Sequence, residues 1–392
     1  MTMGVESGPP KVPLLRDPKL RGLLIQILLC VALAGLVYYL VRAAAANLER
    51  SHMASGFGFW NQPAGFDISQ TLIDYSSSAS TYGRAFWIGL LNTLLVACIG
   101  IVLATIVGFL IGIGRLSSNW LVARLATGYV HLVRNVPLLL QLLFWYSMVL
   151  TALPDFRNSV HLPGGGFLNN KGLFLPAPEL GGAGPMVSAA VLVGIAGAIA
   201  LALAARRKWL DGRVAAGIGV LLVLGLPLAA LLVGGGTLTI DYPQMSRFNI
   251  RGGMELLPEL VALVAALVVY TGAFIAETVR AGIMAVPRGQ SEAALALGLS
   301  RALTLRRVII PQSMRVIIPP LTSQYLNLTK NSSLAVAIGY PDLVQIFTGT
   351  VLNQTGQAVE IVAITMAVYL AISLFTALLM NLYNARMALR ER

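Results

Sequence analysis

Charge is what this chain is short of. Asp, Glu, Lys and Arg make up 11% of its 392 residues, and 57% are apolar. A soluble domain carries about a quarter charged residues and a little under half apolar ones. So few charges cannot screen that much apolar surface from water, which excludes an ordinary soluble fold. Cysteine is almost absent. Cys30 and Cys98 both fall in apolar runs, where they read as small buried hydrophobes and not as a disulfide pair. Three scattered histidines, His52, His131 and His161, leave no Cys/His spacing that suits zinc. There is no G-x-x-x-x-G-K-[ST] loop to cradle nucleotide phosphates, no G-x-S-x-G elbow and no H-E-x-x-H helix. The chain is therefore expected to carry no catalytic residues, no metal site and no cofactor.

What is abundant is uncharged apolar sequence in runs of about 20 residues, enough to span a hydrocarbon core roughly 30 Å thick. Continuous runs, as opposed to period-two alternation, exclude a transmembrane barrel. The expected fold class is an all-α polytopic membrane protein of about eight transmembrane helices, over 21–41, 85–113, 136–153, 185–204, 214–234, 257–277, 311–330 and 360–381. The loops between them, such as FGFWNQPAGFDISQTLIDYSSSAS and PDFRNSVHLPGGGFLNNKGLFLPAPELGGAG, must be solvated, because unpaired backbone cannot face lipid. A multi-span protein without catalytic equipment reads as a transporter or channel, driven by an ion gradient or by a partner.

The net charge of +12 would suit nucleic acid in a soluble protein. In a membrane chain it marks cytoplasmic loops, and no nucleic-acid partner is expected. With the N-terminus inside, twenty Lys and Arg fall on the cytoplasmic side and seven on the other, Lys330 standing at a span end. The inner set includes Lys11, Arg115, Arg124, Arg134, the turn with Arg207 and Lys208, the group from Arg280 to Arg315, and Arg390 and Arg392. Both termini are thus expected in the cytoplasm. A cleaved leader ending at RAAAAN fits less well, since its apolar core would run about 19 residues against the usual 7–15.

Between the sixth and seventh spans lies GQSEAALALGLSRALTLRRVIIPQ, residues 289–312. Ser291 is placed to cap a helix beginning with Glu292, whose carboxylate suits the positive end of the dipole. Ala293, Ala294 and Ala296 favour helix with little bulk, and Gly298 allows a sharp bend at its end. Ser300 caps a second helix, basic through Arg301, Arg306 and Arg307, which Pro311 interrupts. Two short helices joined at a glycine, with a smooth alanine face flanked by charge, suit insertion into a groove on another protein. A helix lying on acidic lipid headgroups would show a similar pattern.

The spacing E-A-A, three residues, G, nine residues, V-I-I-P resembles the EAA loop of inner-membrane permease subunits of bacterial ABC importers, with Val308 and Ile310 standing for Ile and Leu. Further blocks resemble the polar amino-acid branch of that family: RNVPLLLQLLFWY at 134–146, AFIAETVRAGI at 273–283, IIPQSMRVIIPPL at 309–321 and LTKNSSLAVAIGYPDL at 328–343. FGFWNQPAGFDISQTLIDY and NNKGLFLP are similar, more narrowly, to the large membrane subunit of general L-amino-acid importers. The likeness covers about 85–385.

The resemblance implies a permease that moves L-amino acids from periplasm to cytoplasm by alternating access in the bacterial inner membrane. It implies a separate cytoplasmic ATPase docked on Glu292, Ala293, Ala294, Gly298 and Arg301, with Pro311 turning the chain into the next span. A second homologous permease subunit, which favours a heterodimer, and a periplasmic amino-acid-binding protein complete the implied partners. The organisation that follows is a cytoplasmic tail over 1–20, an added first helix and periplasmic loop over 21–84, and a permease domain over 85–392. Within that domain the core helices fall in 85–153 and 257–385, the inserted hairpin in 185–234 and the coupling loop in 287–311. That hairpin has no polar residue in mid-span, which suits a peripheral position facing lipid. The rival reading is an ion-coupled secondary amino-acid transporter, a class that often shows repeated halves; no internal repeat is visible.

Polar groups at membrane depth are costly, and they usually line a cavity or pair. The candidates for the translocation path are Gln141, Glu277, Arg280, Asn327, Lys330, Asn331 and Ser332, with Gln324, Asn92 and Thr93 nearby. Glu277 and Arg280, three apart, can also simply pair, and Asn92 and Thr93 can join helices. Pro319–Pro320 removes two backbone donors and is expected to kink or interrupt the seventh span. Gly108 and Gly112 would allow close helix contact.

Overall fold

A computed structural model describes residues 18–50, 56–179, 181–206, 210–235, 239–246 and 250–387. Lys11, Arg207, Lys208, Arg390 and Arg392, and most of the expected tail, lie outside the described residues. The described chain forms helices α1 (Pro18–Arg50), α2 (Tyr82–Gly114), α3 (Trp120–Arg134), α4 (Leu138–Ala152), α5 (Gly184–Arg206) and α6 (Gly212–Val233). Then come α7 (Pro258–Met284), α8 (Arg288–Ala296), α9 (Arg301–Thr304), α10 (Ile310–Asn331), α11 (Leu352–Thr355) and α12 (Ala358–Met387).

Among the described residues six stretches are long and apolar enough to cross a bilayer: Arg21–Leu40, Tyr82–Gly114, Gly181–Ala205, Val214–Val233, Pro258–Met284 and Ala358–Leu382. Helices α3 and α4 together make a seventh, bent by 107°. Helix α10 has the length of a span but carries Gln312, Arg315, Gln324, Asn327, Lys330 and Asn331, which keeps it out of the apolar set. The eight expected spans therefore resolve into six plain ones, one elbow and one polar helix.

Helix α7 is the hub. Of its apolar window 61% is buried, against 28% for α2 and 11% for α12, and it packs on α2, α3, α4 and α10. The α2–α7 seam is set by two glycines. A Cβ at Gly108 would stand 2.5 Å from the Ile275 side chain, and one at Gly112 would stand 2.8 Å from the Ala276 carbonyl. Gly108→Val is therefore expected to destabilise the protein by about 1–3 kcal/mol, the usual cost of overpacking. Gly128, on α3 with nothing within 4 Å of an added Cβ, is the control. Thermal midpoints in detergent should fall for Gly108→Val and hold for Gly128→Ala.

Helices α5 and α6 pack chiefly on each other, and none of Arg21–Leu40 on α1 is buried among the described residues. The segment 56–81 closes over the N-terminal end of α2. Phe59, Ala64, Tyr82 and Phe86 share one core with Phe347 and Val351, and Tyr82 donates to Gln354 Oε1 at 2.9 Å.

The loops on that same side hold strands that the sequence pattern does not announce. β1 (Val160–Leu162), β2 (Gly166–Asn169), β3 (Gly172–Leu175) and β8 (Met254–Leu256) form an antiparallel sheet in that order. β4 (Ala177–Glu179) pairs with β5 (Thr239–Asp241), and β6 (Gln244–Met245) with β7 (Ile250–Arg251). Each is too short to show a period of two, and β3 finds β8 across some eighty residues, Leu173 facing Leu256.

The proline pair does not interrupt the seventh span: α10 runs unbroken through Pro319 and Pro320. The missing donors leave the carbonyls of Arg315 and Val316 without their usual helical partners. The break comes after Asn331, where the chain tightens into a 3₁₀ turn over Ser332–Ile338 and Gly339 takes φ 75°.

Candidate functional site

The hairpin between α7 and α10 starts earlier than its serine suggests. Helix α8 begins at Arg288 behind Pro287, which caps it without a side-chain hydrogen bond. Ser291 is an interior residue and not the cap. Pro287 cannot extend α7, and its preset φ near −59° opens the next helix at once. The first turn closes with Gln290 N–H donating to the Pro287 carbonyl at 3.0 Å.

The far end matches the capping pattern closely. Gly298 takes φ 79° and donates to the Leu295 carbonyl at 2.9 Å, while Leu299 N–H donates to the Ala294 carbonyl at 3.1 Å. That pair of bonds is the Schellman termination, which places a left-handed residue just beyond the helix. Ser300 Oγ then accepts from Leu303 N–H at 3.4 Å and caps α9. Pro311 does not end that second helix. A π turn over Leu305–Ile309 carries the chain straight into α10, where Pro311 occupies the first turn and its missing donor is harmless. Gln312 donates to Gln290 at 3.2 Å, joining the two stems.

Ala294 is packed inward, while Glu292, Ala293, Gly298 and Arg301 are exposed. Two leucines join them: Leu295 is 46% exposed and Leu297 83%. Nothing in the local pattern singles out these leucines, because only placement reveals which apolar residues of a short helix lack a partner.

The polar candidates separate into four groups, with Lys330 apart. Gln324, Asn327 and Asn331 of α10 share a recess of 280 Å³ with Tyr270, Thr271 and Phe274 of α7. Tyr270 and Thr271 were missed because nothing in an apolar run marks which face it turns to a neighbour. Lys330 is exposed on the last turn of α10 and does not line this recess.

Gln141 and Ser332 are buried and serve the backbone. The Gln141 amide donates to the Val133 and Val136 carbonyls at 2.8 and 2.9 Å, bracing the elbow between α3 and α4. Ser332 donates to the Thr329 carbonyl at 2.8 Å.

Glu277 stands amid three guanidiniums near the C-terminal ends of α2, α3 and α7. It pairs with Arg115, with Arg280 at 2.5 Å and with Arg134 at 3.9 Å. Arg115 is the most deeply placed, with 8% of its side chain exposed. The expected Glu277–Arg280 pair is present as part of this larger cluster.

Asn92 and Thr93 anchor the turn after α10. Asn92 Nδ2 donates to the Pro341 carbonyl at 2.8 Å and to the Gln70 carbonyl at 3.0 Å, and Thr93 Oγ1 accepts from Leu343 N–H at 3.1 Å. Beside them Asp342 is buried, accepting from Gln345 N–H at 2.8 Å and from Tyr369 Oη at 3.2 Å. Burial pushes its carboxyl up to about 7, against the pull of those hydrogen bonds. The folded state thus favours the protonated acid more than the unfolded chain does. The resulting stability is fully present below about pH 4, near an ordinary Asp pKa, and is lost as pH rises through the raised value. Thermal midpoints should therefore fall between pH 5 and pH 8, and Asp342→Asn should flatten that dependence.

An apolar helical bundle with a polar recess at its hub and an exposed hairpin between α7 and α10 describes a membrane transport subunit. Residues 220–389 match the family described as binding-protein-dependent transport system inner membrane component. Over 386 residues, 96% of each chain, the protein is 52% identical to the putative amino-acid ABC transporter permease protein YhdX of Escherichia coli. The general L-amino acid transport system permease protein AapQ of Rhizobium johnstonii is 52% identical over 384 residues, 96% of this chain and 94% of that one. The glutamate/glutamine/aspartate/asparagine transport system permease protein BztB of Rhodobacter capsulatus is 42% identical over the whole of both chains. The chain belongs to the amino-acid ABC transporter permeases. It is a multi-pass inner-membrane subunit, and not an enzyme.

Proposed function

We propose that this permease moves L-amino acids inward by alternating access, driven by a separate ATPase that grips the hairpin of α8 and α9. The observation that carries the reading is the exposed surface of Glu292, Ala293, Leu295, Leu297 and Arg301 around the Gly298 turn. A leucine 83% exposed at a helix end, on a hairpin standing off the bundle, is what a partner's groove would cover. Both termini lie in the cytoplasm in this reading, in keeping with the basic residues at the inner helix ends. A second permease subunit, favoured as a paralogue, pairs with this one, and a periplasmic amino-acid-binding protein delivers the solute. Broad amino-acid selectivity is supported by the names of the relatives, AapQ and BztB in particular.

The recess of Tyr270, Thr271, Phe274, Gln324, Asn327 and Asn331 is the path segment in this reading. Its amides and hydroxyls can meet both charged ends of a zwitterion. Gln141, Ser332 and Lys330 stand outside its wall, the first two engaged with backbone carbonyls.

Copurification tests the coupling. A partner ATPase should remain with the wild-type chain in detergent. Leu297→Asp should release it, with a loss of affinity of about 2 kcal/mol or more, as for a buried interface anchor. Retention of the ATPase by Leu297→Asp, with the permease folded, would remove the hairpin from the mechanism.

A further inference from the structure

We infer that Phe274 is the cytoplasmic plug of the transport path and Arg134 the latch that holds it, an inference that rests on taking the α7–α10 recess as the path. Two recesses meet at this ring. One is the polar recess of Tyr270, Thr271, Gln324, Asn327 and Asn331. The other, of 240 Å³, is lined by Val130, His131, Arg134 and Asn135. Phe274 lines both and is the residue they share.

The order along α7 supplies the direction. Tyr270 and Thr271 come first, then Phe274, then Glu277 and Arg280 at the inner end. A solute leaving the polar recess toward Glu277 meets the Phe274 ring before it reaches the basic side chains. The ring leans on Tyr270, with centroids 5.0 Å apart, and presents its face to the Arg134 guanidinium at 4.9 Å. Arg134 is in turn 3.9 Å from Glu277 Oε2, and Arg115 and Arg280 hold that carboxylate in place.

Arg134 is also the last residue of α3, directly before the elbow that Gln141 braces. A shift of this helix end draws the guanidinium off the ring and frees it to rotate. Ring, cation and carboxylate form a stack that ties the closed passage to the position of α3. A Phe274 that merely fills space would matter for stability and leave passage unaffected.

Thiol accessibility distinguishes the two roles. The full chain, in its native membranes, would carry serine at Cys30 and Cys98, which are exposed, not buried as their apolar runs suggest, and lie away from the recess. Asn327→Cys is the reporter and Gly289→Cys, on the exposed hairpin, the control. Inside-out vesicles are treated with a membrane-impermeant charged maleimide. The reporter should label slowly. Adding Phe274→Ala should speed it about tenfold, the scale of a lost aromatic pair. Arg134→Gln should speed it about two- to fivefold, the scale of a lost cation–π contact at a partly exposed site. The control should label alike throughout.

Fast labelling of the reporter with Phe274 intact, or labelling that Phe274→Ala leaves unchanged, overturns the assignment. If Phe274→Ala fails to accumulate, Arg134→Gln decides, and an unchanged rate there is equally fatal. No nucleotide is added and labelling does not read ATPase binding, so a failure of the coupling hairpin in copurification would leave its outcome standing.

Discussion

Gly298→Val is expected to cut amino-acid uptake at least about tenfold while leaving the bundle intact, because a branched residue in the left-handed region costs about 1–3 kcal/mol. The site separates strain from crowding. Gly298 holds φ 79°, yet an added Cβ would meet nothing within 4 Å, so the penalty acts on the turn alone. The cheapest escape is to unwind the Schellman bonds from Gly298 and Leu299, which swings Leu297 and Glu292 out of register with α9. Uptake in proteoliposomes of the assembled complex, and retention of the ATPase on the purified permease, should therefore drop together. The thermal midpoint of the permease itself should stay near that of wild type. Gly298→Asn is the graded comparison, since asparagine tolerates this conformation, and it should keep most of the activity. Equal loss in both variants would point to the side chain and away from backbone geometry.

Glu277→Gln should be the most destabilising single change in the cluster at the C-terminal ends of α2, α3 and α7. One carboxylate there answers Arg115, Arg280 and Arg134, which come from three different helices. Removing one partner of a buried pair costs about 3–5 kcal/mol, because the remaining charge has lost its counterion. Glu277 is 27% exposed and water screens part of this, so a loss of about 2–3 kcal/mol is expected. The measurement is the thermal midpoint in detergent together with the amount of protein inserted in the membrane. Glu277→Asp should fall between wild type and Gln. Pairing Glu277→Gln with Arg115→Gln should restore part of the loss, since the most buried of the stranded cations is then removed. A double variant worse than either single one would show that shape, and not charge balance, holds the helix ends.

Those two sites also separate what neighbouring residues specify from what packing decides. Gly298 and Ser300 were legible in the sequence because capping is local chemistry, decided by the residue and its next three neighbours. Ser291 misled for the same reason: a serine before Glu292 looks like a cap, but Pro287 had already opened the helix. The Glu277–Arg280 pair was legible as a three-residue spacing. Arg115 and Arg134 were not, since they arrive from α2 and α3 through packing. The spans themselves followed from apolar length, except at the polar α10 and at α3, whose Arg124, His131 and Arg134 made it look like a loop. The short strands were hidden for a different reason. Two of their pairings, β3 with β8 and β4 with β5, join chain on either side of α5 and α6, and no local pattern can report a pairing of that kind. Recess residues such as Tyr270 and Asn327 sit between these cases: each carries a polar group in a helical run, and only helix placement aims it.

The pairing of β4 with β5 has one more implication. Glu179 lies opposite Thr239, so the chain leaves for α5 and returns from α6 at almost the same point. A two-residue turn could join those positions directly and close an ordinary β-hairpin. The excursion between them, some sixty residues, is therefore built like a detachable cassette. It could be excised or exchanged without altering the course of α4, α7 or α10.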